Sequence, residues 1–225
     1  QTHINNKINK ANKIMGLIRR SFTYLDNACF TTLYKSFVRP HLEYASSTWD
    51  ARHKKTKDQI EKVQRRATKS VPCCKNLDYN ARLKLLKLPC LAYRKLRGDM
   101  IESYKCLTGY YDEEIQDPIS PNLDHNTRTR GHTYKLKKNT RPNSKTLRKR
   151  YFTNRIVNFW NNLPDEVVTA PSIASFERRL DKYWDRYSIR FDYDKCKLFE
   201  DRMIQGLGVN NLIDMAIVTN IDLDL

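Results

Sequence analysis

The stretch IEKVQRRATKSVPCCKN, residues 60–76, sets a basic helical pattern directly against two adjacent cysteines. Two chemistries compete there: thiolates that ligate a soft metal ion, and lysine and arginine side chains that neutralise phosphates. Zinc needs ligands two to four residues apart, so that both sulfurs reach one ion at about 2.3 Å. Cys73 and Cys74 are neighbours, and neither His41 with His53 nor His125 with His132 supplies a second pair at finger spacing. The cysteines therefore read as small thiols in a turn, and no metal or other cofactor is expected in this chain.

The basic residues point elsewhere. Ile60, Val63, Ala67 and Val71 form one narrow apolar stripe, while Lys62, Arg65, Arg66 and Lys69 cover much of the remaining surface. A charge run on one helix is commonly a solvated face. Here it recurs: residues 127–150 hold ten Lys or Arg, Arg128, Arg130, Lys137 and Lys138 among them, and no acid, and Tyr110, Tyr111, Tyr134 and Tyr151 are interleaved with the basic residues in and around this run. Such side chains displace counterions from phosphates and give affinity without sequence choice. Nucleic-acid backbone is the partner this pattern favours.

Other constellations carry less. There is no Walker loop, no GxSxG and no HExxH. The tripeptide Arg97–Gly98–Asp99 falls inside a helical pattern, where Arg and Asp are available for local pairing and Gly98 is expected to permit a close helix crossing. PDEVV at Pro164 opens like a nuclease motif, but a helix with ERR and LDK follows instead of a strand with Glu-x-Lys. FDYD at Phe191 has no hairpin around it to hold a pair of metal ions.

The elements that position these residues are helices. Ile4, Ile8, Ala11, Met15 and Ile18 keep helical spacing. A second helix is expected from Asp26 as N-cap, burying Phe30, Leu33, Tyr34 and Phe37, with Pro40 ending or kinking it. HLEYASSTW then resumes an apolar face through Leu42, Ala45 and Trp49. The basic helix spans about 57–71 and stops at Pro72. A short helix lies in NLDYNARLKLLKL. Pro89 opens a longer one with Leu91, Leu96, Met100, Tyr104 and Leu107 inward and Gly109 past its end. After the basic run come a helix with Phe152, Ile156, Phe159 and Trp160 inward, and one opened by Pro171 and Ser172 that aligns Phe176, Leu180, Tyr183 and Tyr187, with Trp184 beside them.

The chain is thus expected to be mainly α: a helical bundle over 1–110, a linker over 111–130 marked by acids and two prolines, and a smaller helical lobe over 131–190. That lobe carries the basic loop and, in HTYKL, at most a short β-hairpin. Residues 191–225 carry three basic and seven acidic side chains and read as an acidic tail without a clear pattern. Residues 1–190 therefore hold 39 basic and 18 acidic of the chain's 42 and 25, so the net +17 is concentrated there. No stretch approaches the roughly 18 apolar residues that span a bilayer. Six cysteines without a CxxC in 225 residues read as reduced thiols of an intracellular protein, cytoplasmic or nuclear. A start at Gln1 suggests a piece of something longer.

KANKIMGLIRRSF, LYKSFVRPHLEYASSTWD, IEKVQRRATK, YNARLKLLKLPCLAYRKLRGDMIESYK, RGHTYKLKK, RKRYFTNRIVNFWNNLP and SIASFERRLDKYW occur in this order over residues 7–187. Together they resemble the C-terminal part of reverse transcriptases from non-LTR, LINE-type retrotransposons of the jockey-like kind. The resemblance implies a thumb, a helical bundle that closes on the primer–template duplex, followed by the region after it. It also implies that the aspartates holding the magnesium ions lie upstream, in a palm domain that would be this chain's neighbour. No family catalytic residue maps onto these positions, and no catalysis by this chain alone is expected. Two other readings stand beside it: a helical interaction module whose basic surface takes an acidic protein, and a decayed element copy without function.

Overall fold

The computed structural model describes residues 2–49, 54–111, 132, 134–138 and 151–207, and its regular structure is helical, with no strand among those residues. Arg128 and Arg130, and most of the expected linker, lie outside them. The chain divides into two compact units, residues 1–95 with 190–193 and residues 96–189 with 194–225. The division falls inside a single helix, where sequence composition placed it at 111–130.

In the first unit, α1 (Thr2–Ser21) buries Ile4, Ala11, Met15 and Ile18, with Ile8 half-buried, and leaves Lys10, Lys13, Arg19 and Arg20 exposed. Asp26 caps α2 (Asn27–Leu33), its carboxylate accepting from the Cys29 N–H at 2.6 Å and satisfying one of the orphan donors of the first turn. Pro40 does not end this helix. The chain widens into a π-helical turn, Tyr34–Val38, in which the Arg39 N–H reaches back to the Tyr34 carbonyl, and α3 (Arg39–Glu43) follows with Pro40 in its first turn, where no N–H is needed. The wider turn changes which residues face inward. Phe30, Tyr34, Val38 and Leu42 are buried at every fourth position, and Phe37, expected in the core, is 56% exposed. The face expected to continue past Leu42 stops: Ala45 has φ 52°, and the Trp49 indole N–H, half-buried, turns back to the Tyr44 carbonyl at 3.0 Å.

Helix α4 (Lys54–Thr68) starts earlier than the sequence suggested, and a 3-10 turn at Pro72–Cys74 follows it. Asp78 caps α5 (Tyr79–Leu85) through the Ala81 N–H. Helix α6 (Leu91–Leu107) begins in this unit and continues into the second. Glu43 takes the Arg94 guanidinium on both oxygens, one at 2.9 Å, and Arg39 lies 3.6 Å away.

The second unit is built on aromatic rings. Tyr104 of α6 stacks on Phe176 at 4.4 Å between centroids. Trp160 lies 5.9 Å from the same ring, and Phe199 meets Phe159, Trp184 and Tyr187. Where one helix was expected after Tyr151 there are two short ones, α7 (Phe152–Arg155) and α8 (Val157–Asn161), broken at Ile156. PDEVV forms α9 (Asp165–Val168). Ser172 caps α10 (Ile173–Asp185), accepting from the Ser175 N–H at 3.2 Å. Residues 193–205, expected in a tail without pattern, form α11 (Tyr193–Gln205). Within this unit α11 buries Cys196, Phe199 and Met203 along one side, and its acids fall on the other positions.

The HTYKL segment forms no strand among its described residues, yet it is bonded like one. The Asn161 side-chain amide accepts from the Leu136 N–H at 2.8 Å and donates to the Leu136 carbonyl at 2.9 Å, as a neighbouring backbone would. The Trp160 indole donates to the Tyr134 carbonyl, and the His132 ring bonds the Trp160 carbonyl. Arg97 and Asp99 are paired, though not locally as expected but with distant segments: Arg97 with Asp181 at 2.7 Å and Glu177 at 3.3 Å, Asp99 with Arg155 at 2.8 Å. Gly98 between them corrects the expectation of a close crossing, because a Cβ built there meets nothing within 4 Å.

Candidate nucleic-acid interface

Helix α4 carries the first group of expected contacts, and its rotation decides whether they face out. One side buries Val63 and Ala67, as the apolar stripe required, with Ile60 half-buried and Thr56 buried as well. Beside that stripe the helix also buries Glu61, Gln64 and Thr68, polar residues that belong to neither the apolar stripe nor the row of cations. Each polar group there has a partner. Gln64 accepts from the Tyr34 hydroxyl at 2.9 Å and donates to the Tyr79 oxygen at 3.2 Å and the Pro89 carbonyl at 3.0 Å. Glu61 accepts from the Tyr79 hydroxyl at 2.5 Å and from the Leu91 N–H at 3.0 and 3.3 Å, so it caps α6. Burial pushes the Glu61 carboxyl up to about 7, against these hydrogen bonds, which lower it.

A buried network of this kind tolerates little rotation, because every displaced donor or acceptor would be left unpaired away from water, at about 1–3 kcal/mol each. Lys62, Arg65, Arg66 and Lys69 therefore stand on the opposite side, all exposed. At 1.5 Å of rise per residue they span about 10 Å of helix surface. Lys69 lies one residue past the helix end.

The four are not equivalent. Arg65 lies over the Tyr79 ring at 4.6 Å and within 6.0 Å of the Tyr193 ring, so it is held by its own protein. Asp58, one turn before Lys62 on the same side, accepts from the Tyr193 hydroxyl at 2.8 Å. Lys62, Arg66 and Lys69 are the cations most available to a ligand. The structure adds one helix that sequence reasoning left out of the site. Arg19 of α1 donates to the Arg66 carbonyl at 2.9 Å, which brings the basic last turn of α1, Arg19 and Arg20, to the basic end of α4. In sequence Lys7, Lys10, Lys13 and Arg20 fall mostly off the apolar stripe of α1, but nothing there shows that this helix meets α4. Lys7, also off the stripe, is spent elsewhere: it donates to the Tyr44 carbonyl and lies over the Tyr44 and Trp49 rings at 5.4 and 5.1 Å, and burial lowers its pKa.

Of the second group, Lys137 and Lys138 are exposed, directly after Leu136 on the segment that Asn161 holds. Arg128 and Arg130 are outside the described residues. The cysteine sulfurs lie 3.8 Å apart, with the exposed Cys73 thiol also donating to the Asn27 side-chain carbonyl. Burial pushes Cys74 up to about 11. Among the described residues no group of three or more His, Cys, Asp or Glu is arranged to hold a metal ion, and no helix is long and apolar enough to cross a membrane.

The chain matches no protein-family model, no curated protein and no solved structure.

Proposed function

We propose that this chain binds nucleic-acid backbone without catalysing, as the thumb and following region of a LINE-type RNA-directed DNA polymerase. The observation that carries the reading is the division of α4: a sealed, fully hydrogen-bonded inner face opposite a row of exposed cations, extended by the basic end of α1. Such a surface suits phosphates on a primer–template or RNA strand and makes no demand on base sequence. The ordered motifs over residues 7–187 resemble that family, and the helical fold of the described residues is compatible with a thumb. In this reading the partner within the parent protein is the upstream palm. Its aspartates would hold magnesium. The described residues offer no site that fits those ions, so no step is assigned to them here.

The test is a salt titration of binding to an RNA–DNA hybrid and to duplex DNA. Log affinity should fall linearly with log salt, by about 0.9 for each phosphate contact on duplex DNA. Reversing Lys62, Arg66 and Lys69 to Glu, with Arg65 left on its tyrosines, should weaken binding sharply and shrink the slope, while circular dichroism stays helical. The same charge change at the exposed Lys75, Lys84 and Lys87 controls for net charge. Equal affinity and slope in wild type and the α4 variant would overturn the reading. Preference for poly-glutamate over nucleic acid would establish the acidic-partner module instead.

A further inference from the structure

The second unit carries a charged surface that this reading does not use. Helix α10 buries Phe176, Leu180 and Trp184, which anchor it on the aromatic core. On the side away from these anchors stand Arg178, Lys182 and Arg186, four residues apart and all exposed, with Arg186 just beyond the helix end. Arg179 is exposed beside them and donates to the Glu166 carbonyl.

Two features distinguish this face from an ordinary solvated one. First, the acids that would offset it are committed. Glu177 and Asp181 both bond the Arg97 guanidinium, which leaves Asp185 as the exposed acid within the helix. Second, one cation is preset. The Arg186 Nε donates to the Tyr183 carbonyl at 3.0 Å, and the guanidinium lies 4.1 Å from the Tyr183 ring centroid and 5.9 Å from that of Tyr187. The two rings are themselves fixed, Tyr183 by its hydroxyl to the Asn162 carbonyl and Tyr187 by its hydroxyl to Tyr183. A planar guanidinium held on an aromatic face keeps its outer N–H groups free for a bidentate phosphate contact and loses less entropy on binding.

We propose that this face of α10 is a second phosphate contact, which takes one strand of nucleic acid along Arg178, Lys182 and Arg186. Four residues of helix advance about 6 Å, close to the step between successive phosphates of a single strand. Lys182 has no partner among the described residues, and Arg178 reaches only the Ser175 hydroxyl at 3.2 Å, so both are free to follow the strand. The inference rests on the nucleic-acid reading and extends it to a second site with its own residues.

The experiment uses the full chain and a single-stranded oligonucleotide, with salt titrations of wild type, the α4 triple variant and an α10 variant carrying Arg178→Gln, Lys182→Gln and Arg186→Gln. The α10 variant should bind the single strand at least ten-fold more weakly at physiological salt. Its slope should be shallower by about 0.7 for each lost contact. A second variant, Arg178→Glu with Lys182→Glu, leaves the tyrosine stack intact and should show the same loss, which separates lost contacts from disturbed packing. If the α10 variants bind as wild type while the α4 variant is weakened, the α10 contact is refuted and the nucleic-acid reading survives. If wild type shows no salt-dependent binding at all, both fall. Loss of binding to an acidic polypeptide but not to the oligonucleotide would make α10 a protein-docking face and overturn the proposal.

Discussion

Glu61 is a carboxyl inside the first unit, and its setting gives stability a pH dependence. Burial raises its pKa from an ordinary 4.5 to about 7, so the folded state holds its proton more tightly than the unfolded chain. The resulting stabilisation is complete below about pH 4.5 and is lost as pH rises through about 7, with a total of about 3 kcal/mol. His132 acts with the opposite sign, because burial lowers its pKa and its stabilisation grows as the ring deprotonates. The informative comparison is therefore between wild type and Glu61→Gln. Urea denaturation at pH 5 and pH 8 should show the variant losing less stability on going to the higher pH. An identical pH dependence in the two proteins would mean that Glu61 does not titrate as its burial requires.

At the scale of elements, α6 shows which local signals held and which did not. Its stop at Gly109, with φ 70°, follows the rule that glycine takes the left-handed position past a helix end. Gly98 inside it follows no packing rule, since nothing approaches the position where a Cβ would stand. Gly98→Ala should therefore stabilise the protein by about 0.5–1 kcal/mol, by restricting the unfolded chain at no cost to the fold. Denaturant midpoints would show it, and a destabilised variant would mean that α6 needs the glycine. The caps at Asp26 and Ser172, the core stripe of α1 and the outward cations of α4 were legible for the same reason as the stop at Gly109: each depends on residues within one turn. The π turn was not legible, because a single widened turn leaves the surrounding helical spacing almost unchanged while it rotates Phe37 out of the core.

At the scale of the whole molecule, charge dominates. A net +17 repels itself in the folded state, and salt screens that repulsion. Raising ionic strength from about 0.01 M to 0.15 M shortens the Debye length from about 30 Å to about 8 Å. The midpoint of thermal unfolding should therefore rise over the range in which nucleic-acid affinity falls. A midpoint that drops with salt would show that attractive pairs such as Arg97–Asp181 and Asp99–Arg155 outweigh the repulsion. The opposite salt responses of stability and binding would together assign the excess charge to a ligand and not to the fold.

The sequence by itself determined the mainly helical class, most helix positions and the exposure of Lys62, Arg65, Arg66 and Lys69, because periodicity, caps and proline act between near neighbours. Only the tertiary structure decided which polar residues are buried and with whom. Glu61 meets Leu91 thirty residues away, and Arg97 meets Asp181 eighty-four away. Such pairings depend on where distant segments pack. The same dependence placed Arg19 at the end of α4, laid Arg65 on Tyr79, and gave the expected acidic tail a helix, α11, whose Phe199 completes the aromatic core of the second unit.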